Sequence, residues 1–437
     1  MHTQRRSYRQ PTGRLTGVAG IDTPDVLIEF KSEEAIRVLA TLFTQLRDAS
    51  IPGRGGVVSW RVSQEPGSPP TPLGPHLYDG SCGIALFLAA YHSAIGNDEA
   101  CSLAKRSVAQ LRNKVASLSA TPEHLRTKAL PIGGFVGLGA FLYTFTRLAH
   151  WLDDKELMES ASQVTTLITA DSIRKDDKYD VVTGCAGTLL ALLAFEAAAE
   201  QGHEQALELA VLCGKHLLEC RVAYKSMPKA WPGREHPPLC GFAHGASGIA
   251  YALLMLFSRT GEPEFLEAAL EGFTFERQLY DPLLRAWFDL RFNRPHQQSA
   301  WCHGGPGIAL ARVACLSAID GREAPEIQKD LQEALAITTD LPDLPNDHLC
   351  CGNSGQVEIL RTVGHALGDS ELTSRAHLLA QRRLVPAQES GFRFSLNREG
   401  DDVAGFQPSL FLGLAGVGYT LLRLIFPGVF PCVLMLE

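Results

Sequence analysis

Gly80-Ser-Cys-Gly83-Ile-Ala-Leu-Phe-Leu-Ala-Ala-Tyr91 is a Gly-x-x-Gly pair running straight into an apolar segment. A helix apolar on every side has no face to give to water and belongs in an interior. The pattern returns at Gly184-Cys-Ala-Gly187, Gly245-Ala-Ser-Gly248, Gly304-Gly-Pro-Gly307, Gly352-Asn-Ser-Gly355 and Gly413-Leu-Ala-Gly416. A degenerate copy, Gly137-Leu-Gly-Ala140, fills the gap between the first two. That makes seven copies spaced by 47 to 61 residues, a period in the range of repeat architectures or slightly beyond it.

Each interval has room for two helices. The segment after each motif is apolar nearly all round. The second is amphipathic, as in Glu264-Phe-Leu-Glu-Ala-Ala-Leu-Glu-Gly272 and Ile327-Gln-Lys-Asp-Leu-Gln-Glu-Ala-Leu335, so its charged face belongs outside. Strand signals are weak, Val57-Val58-Ser59-Trp60 being the best. Closure into a ring leaves no terminal repeat exposed. The expected fold is therefore all-α, an α/α toroid of seven inner and seven outer helices. Residues 1–76 read as a tail whose first dozen residues are disordered, a helix over Ser32–Ala49 and a Pro/Gly-rich loop over Ile51–Pro75. Residues 77–437 read as the barrel.

The 437 residues are 45% apolar, enough for a large core, and the net charge is -8. The short pairs Arg5-Arg6 and Arg382-Arg383 are the densest basic runs, which argues against a nucleic-acid surface. Eleven cysteines is an odd number on a long chain, unlike a secreted disulfide framework. No apolar run reaches the ~20 residues of a membrane span, and the polar N-terminus is not a signal peptide. A cytoplasmic location follows as the expectation. Cys82, Cys185, Cys213 and Cys315 lie in apolar helical contexts and read as inert core residues.

Superposing the copies in one register locates the chemistry. Two residues before the first glycine stand Cys302 and Cys350; one residue before it stand His244, His303 and Cys351. Equivalent positions of neighbouring repeats face one another across a ring, so these groups gather at one mouth, beside helix N-termini that favour thiolates. Taken singly, Cys302 and Cys350 read as unrelated buried cysteines; the shared register makes them a ligand pair. Cys351 and His303 compete as third ligand. Thiolates and an imidazole are the donor set of zinc, and a three-ligand site leaves a position open for chemistry. His244 otherwise reads as a core histidine. Asp180, four residues before Gly184, also reads as a helix cap, and Asp79 reads as a cap rather than a catalyst.

At these residues the chain resembles the lanthionine synthetase C-like cyclases, most closely the C-terminal cyclase domain of class II (LanM-type) synthetases. The similar segments are Leu77-Tyr-Asp-Gly-Ser-Cys-Gly83, Gly134-Phe-Val-Gly-Leu-Gly139, Asp180-Val-Val-Thr-Gly184, Gly241-Phe-Ala-His-Gly245, Trp301-Cys-His-Gly-Gly-Pro-Gly307, Leu349-Cys-Cys-Gly-Asn353, Leu410-Phe-Leu-Gly-Leu-Ala-Gly416 and Pro431-Cys-Val-Leu-Met-Leu-Glu437. The resemblance implies a toroid with a catalytic zinc held by Cys302, Cys350 and Cys351, the last being histidine in many cyclases. It maps the acid/base histidine to His244 and an aspartate of the site to Asp180. Gln298 stands where class I cyclases tend to have arginine, and no role is assigned to it.

The implied reaction joins a cysteine thiol to a dehydroalanine or dehydrobutyrine of the same dehydrated precursor peptide, forming a (methyl)lanthionine ring. Addition of glutathione to dehydrated proteins, and a silent peptide-binding toroid, are the alternatives. The short segment before Leu77 carries no kinase-like Gly-rich loop or dehydratase signature. The expectation is a stand-alone cyclase served by a separate dehydratase, or a fragment of a larger synthetase.

Overall fold

A computed structural model describes residues 30–62, 69–122, 130–199, 202–233, 237–291, 300–319, 324–394 and 406–437. The expected disorder of the first residues and Gln298 fall outside these segments. Helix α1 (Ser32–Asp48) comes first. It is followed by α2 (Ser81–Ile95), α3 (Asp98–Ser119), α4 (Leu138–Trp151), α5 (Lys155–Thr165) and the short α6 (Ala170–Arg174). Next come α7 (Cys185–Ala198), α8 (His203–Glu219), α9 (Ala246–Thr260), α10 (Pro263–Arg277), α11 (Gly305–Ala318) and α12 (Pro325–Thr339). The last are α13 (Asn353–Leu367), α14 (Ser370–Arg383), the short α15 (Ala387–Ser390) and α16 (Leu414–Ile425).

Helices α2, α4, α7, α9, α11, α13 and α16 follow the seven motifs and form the inner ring. Each packs on the next, and α16 packs back on α2, so the ring closes. Helices α3, α5, α8, α10, α12 and α14 each pack on the inner helix that precedes them. Helix α1 supplies the remaining outer position, packed on α16. The outer helices divide as expected: in α1, Ala35, Val38, Leu39, Leu42, Phe43 and Leu46 are buried and the rest of the turn faces out. The fold is the expected all-α toroid. The only strands among the described residues are two-residue hairpin rungs, one of which is Val58–Ser59.

The motif has a steric cause. Its first glycine is the N-cap of the inner helix in all seven copies: Gly80, Gly137, Gly184, Gly245, Gly304, Gly352 and Gly413. Its second glycine lets the preceding turn fold onto the helix. A Cβ on Gly187 would overlap the carbonyl of Val181, and one on Gly248 that of Phe242. The residues whose carbonyls make this approach form a buried plug at the ring's centre: Leu77, Val181, Phe242, Trp301, Leu349 and Leu410. Trp301 meets Phe135, Phe242 and Phe411 there through ring contacts of 5.0–6.0 Å. The motif turns therefore lie side by side around one mouth.

Candidate active site at the mouth of the toroid

Cys302 sits in the turn before α11; Cys350 and Cys351 sit in the turn before α13, and these two helices are neighbours. Cys302 and Cys350 are buried, and Cys351 is half-buried. The three thiols lie near enough to shift one another's ionisation. Hydrogen bonds from Cys302 and Cys350 pull the Cys351 thiol far below its usual range, aided by His348, whose Nδ1 lies 3.7 Å from Cys351 Sγ. Hydrogen bonding and charge from the other two thiols, with burial, hold Cys350 well above its usual range. A hydrogen bond with Cys350 lowers Cys302, but its Cys351 neighbour and burial outweigh that and push it up to about 12. Of the three thiols, Cys351 is the one whose surroundings favour the thiolate.

Asp180 and His244 form the second group. The Asp180 carboxylate accepts Thr183 N–H at 2.6 Å, Gly184 N–H at 3.0 Å and the Thr183 hydroxyl at 3.1 Å. Its other oxygen lies 2.6 Å from His244 Nδ1. A carboxylate accepts, so Nδ1 carries the proton and Nε2 is left for chemistry. Asp180 does not cap α7, whose N-cap is Gly184 with no side-chain cap bond; its carboxylate holds the turn just before the helix and the His244 ring together.

His303 connects the groups. Its ring is 6.3 Å from that of His244, and Arg291 reaches its Nε2 at 2.8 Å while gripping Asp289 at 2.5 Å. Burial first, then the charges of Arg291 and His244, lower His303 to about 3. It is a neutral acceptor of the Arg291 N–H. Asp79 is exposed.

Buried carboxylates hold the turns in place. Glu276 of α10 accepts Gly241 N–H at 2.8 Å, Ser247 N–H at 3.0 Å and the Ser247 hydroxyl at 2.5 Å, so it grips both ends of the turn carrying His244. Glu276 pairs with Arg312 of α11 at 2.9 Å, and both side chains are fully buried. Arg312 also pairs with Asp330 at 3.0 Å. On the other side, Asp347 accepts from Asn353 Nδ2 at 2.8 Å and Arg393 N–H at 3.0 Å, bracing the Cys350–Cys351 turn.

Three residues of the mouth escaped the sequence reading. Tyr78, two residues before Gly80, shares the register of Cys302 and Cys350; burial and then Cys350, its hydrogen-bond partner, raise its phenol far above the usual range. The register was its signal. His348 is buried against Cys351, with Nε2 unpartnered. Arg291 belongs to no motif, and nothing in its sequence context marks it.

Residues 71–435 match the family model described as lanthionine synthetase C-like protein. The lacticin 481/lactococcin biosynthesis protein LcnDR2 of Lactococcus lactis subsp. lactis is 23% identical over 362 residues, which cover 79% of this chain and 35% of that protein. The chain thus spans about a third of that relative's length. Among solved structures, nisin cyclase superposes with a TM-score of 0.59 at 16% identity, covering 90% of this chain and 94% of the other. That likeness concerns the toroid.

Proposed function

The chain belongs to the lanthionine synthetase C-like family, and on that premise we propose that it is a zinc-dependent cyclase of lantibiotic-type peptides. It adds cysteine thiols to dehydroalanine or dehydrobutyrine of the same dehydrated precursor peptide. The observation that carries this reading is the gathering of three thiols from two adjacent turns beside the Asp180–His244 pair. The relatives support the peptide class: one is a lacticin 481/lactococcin biosynthesis protein and another a nisin cyclase.

The residues fit zinc. Cys302 and Cys350 offer two buried sulfur donors and Cys351 a half-buried third, the one biased toward thiolate. Zinc held by these three would supply the acidity that makes a fourth, substrate thiol nucleophilic at neutral pH.

The chain's own groups do the rest. Asp180 fixes the His244 tautomer and balances the charge His244 takes up on protonation. His244 Nε2 takes the proton the substrate thiol gives up; attack by the sulfur on the β-carbon leaves an enolate, and Nε2 returns that proton to the α-carbon. The thiol proton is thereby transferred to carbon, and the peptide mass does not change. Glu276 and Arg312 keep the His244 turn in register with the helix that follows Cys302. A dehydratase, on a separate protein or on a longer chain to which this barrel belongs, supplies the dehydrated substrate. The barrel, with α1 in its outer layer, is the catalytic unit.

The direct test incubates zinc-loaded protein with a dehydrated cysteine-containing precursor peptide. The expected product keeps its mass and loses its reactivity to thiol alkylation. A peptide that stays alkylatable overturns the reading, and a gain of one glutathione mass when glutathione is present replaces it with intermolecular thiol addition.

A further inference from the structure

A second set of metal-type donors lies away from the thiol cluster, on the outer side of the turn that carries Asp180. Asp176, Cys185 and His216 each place a ligand atom within 4.8 Å of the others. They come from three elements: the loop after α6, the first residue of α7, and the last turn of α8. Cys220, one helical turn beyond His216, brings its Sγ to 3.7 Å from His216 Nδ1, but it lies outside the set whose ligand atoms all fall within 4.8 Å of one another.

The hydrogen bonds around these groups are those of a prepared donor set. His216 Nε2 lies 2.9 Å from the Asp176 carbonyl oxygen. A carbonyl only accepts, so Nε2 carries the proton and Nδ1 keeps the lone pair. Metal-binding histidines are typically fixed in their tautomer this way. The Asp176 carboxylate accepts N–H groups of Lys178, Tyr179 and Cys185 at 3.2, 3.0 and 2.8 Å. These orient it and use three of its roughly four lone-pair positions. The remaining one takes the Cys185 thiol proton. Tyr179 hydrogen-bonds the Cys220 thiol. A cavity of about 420 Å³ opens beside Asp176; its wall runs from the exposed Lys175 to Asp176 and Thr183 and does not include Cys185, His216 or Cys220.

We propose that Asp176, Cys185 and His216 form a structural zinc site distinct from the thiol cluster at the mouth, and that Cys220 swings in from the end of α8 as the fourth ligand when the metal binds. Zinc takes the place of the protons on Cys185 and Cys220, which leave to solvent, and bonds to both sulfurs, to His216 Nδ1 and to one Asp176 oxygen. Four protein ligands close the coordination sphere, so the site performs no chemistry. It ties the turn 176–185 to the end of α8. Because Asp180 lies in that turn, the metal stiffens the support of the Asp180–His244 hydrogen bond. Cys185, which reads from sequence as an inert core residue, becomes a ligand.

The test is zinc stoichiometry of the purified full chain, equilibrated with zinc and freed of unbound metal. Two equivalents per chain are expected for the native sequence. Cys350→Ser should lose the equivalent at the mouth and keep the other. His216→Ala with Cys220→Ser should lose the structural equivalent, keep the one at the mouth, and melt at lower temperature. A single equivalent that disappears in Cys350→Ser and survives in the His216/Cys220 variant overturns this proposal while leaving the cyclase reading intact. A single equivalent with the opposite pattern supports this site and removes the metal from the mouth. The native stoichiometry decides even if a variant fails to fold: fewer than two equivalents with the thiol cluster loaded is a failure of the proposal.

Discussion

Cys351 is the residue at which this site departs from a two-cysteine, one-histidine donor set. Three thiolates carry one more negative charge than two thiolates and an imidazole, and that charge leaves more electron density on a sulfur sharing the metal. Cys351→His should therefore slow ring closure, measured as the rate at which several dehydrated peptides lose alkylatable thiol. Equal rates across those peptides would remove the charge argument. His244 is the proton donor in the proposed mechanism and lies outside the donor set. His244→Ala should keep the mouth zinc and lose roughly 100- to 10,000-fold in cyclisation rate, the span usual for a positioned acid/base group. Loss of zinc in that variant would instead make His244 a ligand. Most candidate residues were legible because repeat register is written in the chain: Cys302, Cys350, Cys351, His244 and His303 sit one or two residues before a motif glycine, whereas Asp180 and the choice of Cys351 over His303 came from the family resemblance. Tyr78 was equally legible by offset. His348 and Arg291 were not, because only folding brings them against Cys351 and His303.

At the level of elements, each turn is a short irregular segment that must hold its shape next to a helix N-terminus. Glycine permits the close approach, and a buried carboxylate satisfies the N–H groups the turn leaves over. Glu276 is the clearest case, since it binds both flanks of the His244 turn and the guanidinium of Arg312. Glu276→Ala strands Arg312 with no exposure to solvent. The expected cost is about 3–5 kcal/mol in urea unfolding, as for other buried pairs that lose one partner. Arg312 would retain Asp330, so a loss below about 1 kcal/mol would mean that Asp330 alone satisfies it. Sequence marks Glu276 only as one more charge on an amphipathic helix. Its partners are 29 to 36 residues away, and no local pattern points to them.

The whole molecule adds two expectations. Helix α1 closes the outer ring on α16, so its apolar face is part of the shared core. Leu39→Ala, at a fully buried position, should lower the stability of the entire chain by about 2–5 kcal/mol in a single unfolding transition. A separate early transition would detach α1 from the barrel. Acid should also weaken the fold. Burial lowers His76 and His377 below the usual histidine value, so near and below about pH 6.5 the unfolded chain binds protons that the folded chain refuses. Stability contributed by the neutral forms is present above that pH and lost as pH falls. The melting temperature should drop from near pH 6.5 downward, and His377→Gln should blunt the drop; an unchanged profile would take His377 out of the account. Periodicity and glycine spacing were enough to read the all-α class, the inner and outer layers and the order of the turns, because burial of an apolar helix and the steric need for glycine act within a few residues of chain. Closure by α1 and the Asp176–Cys185–His216 cluster came only with the tertiary structure. They depend on distances between residues far apart in sequence, and those are set when seven repeats pack into one ring.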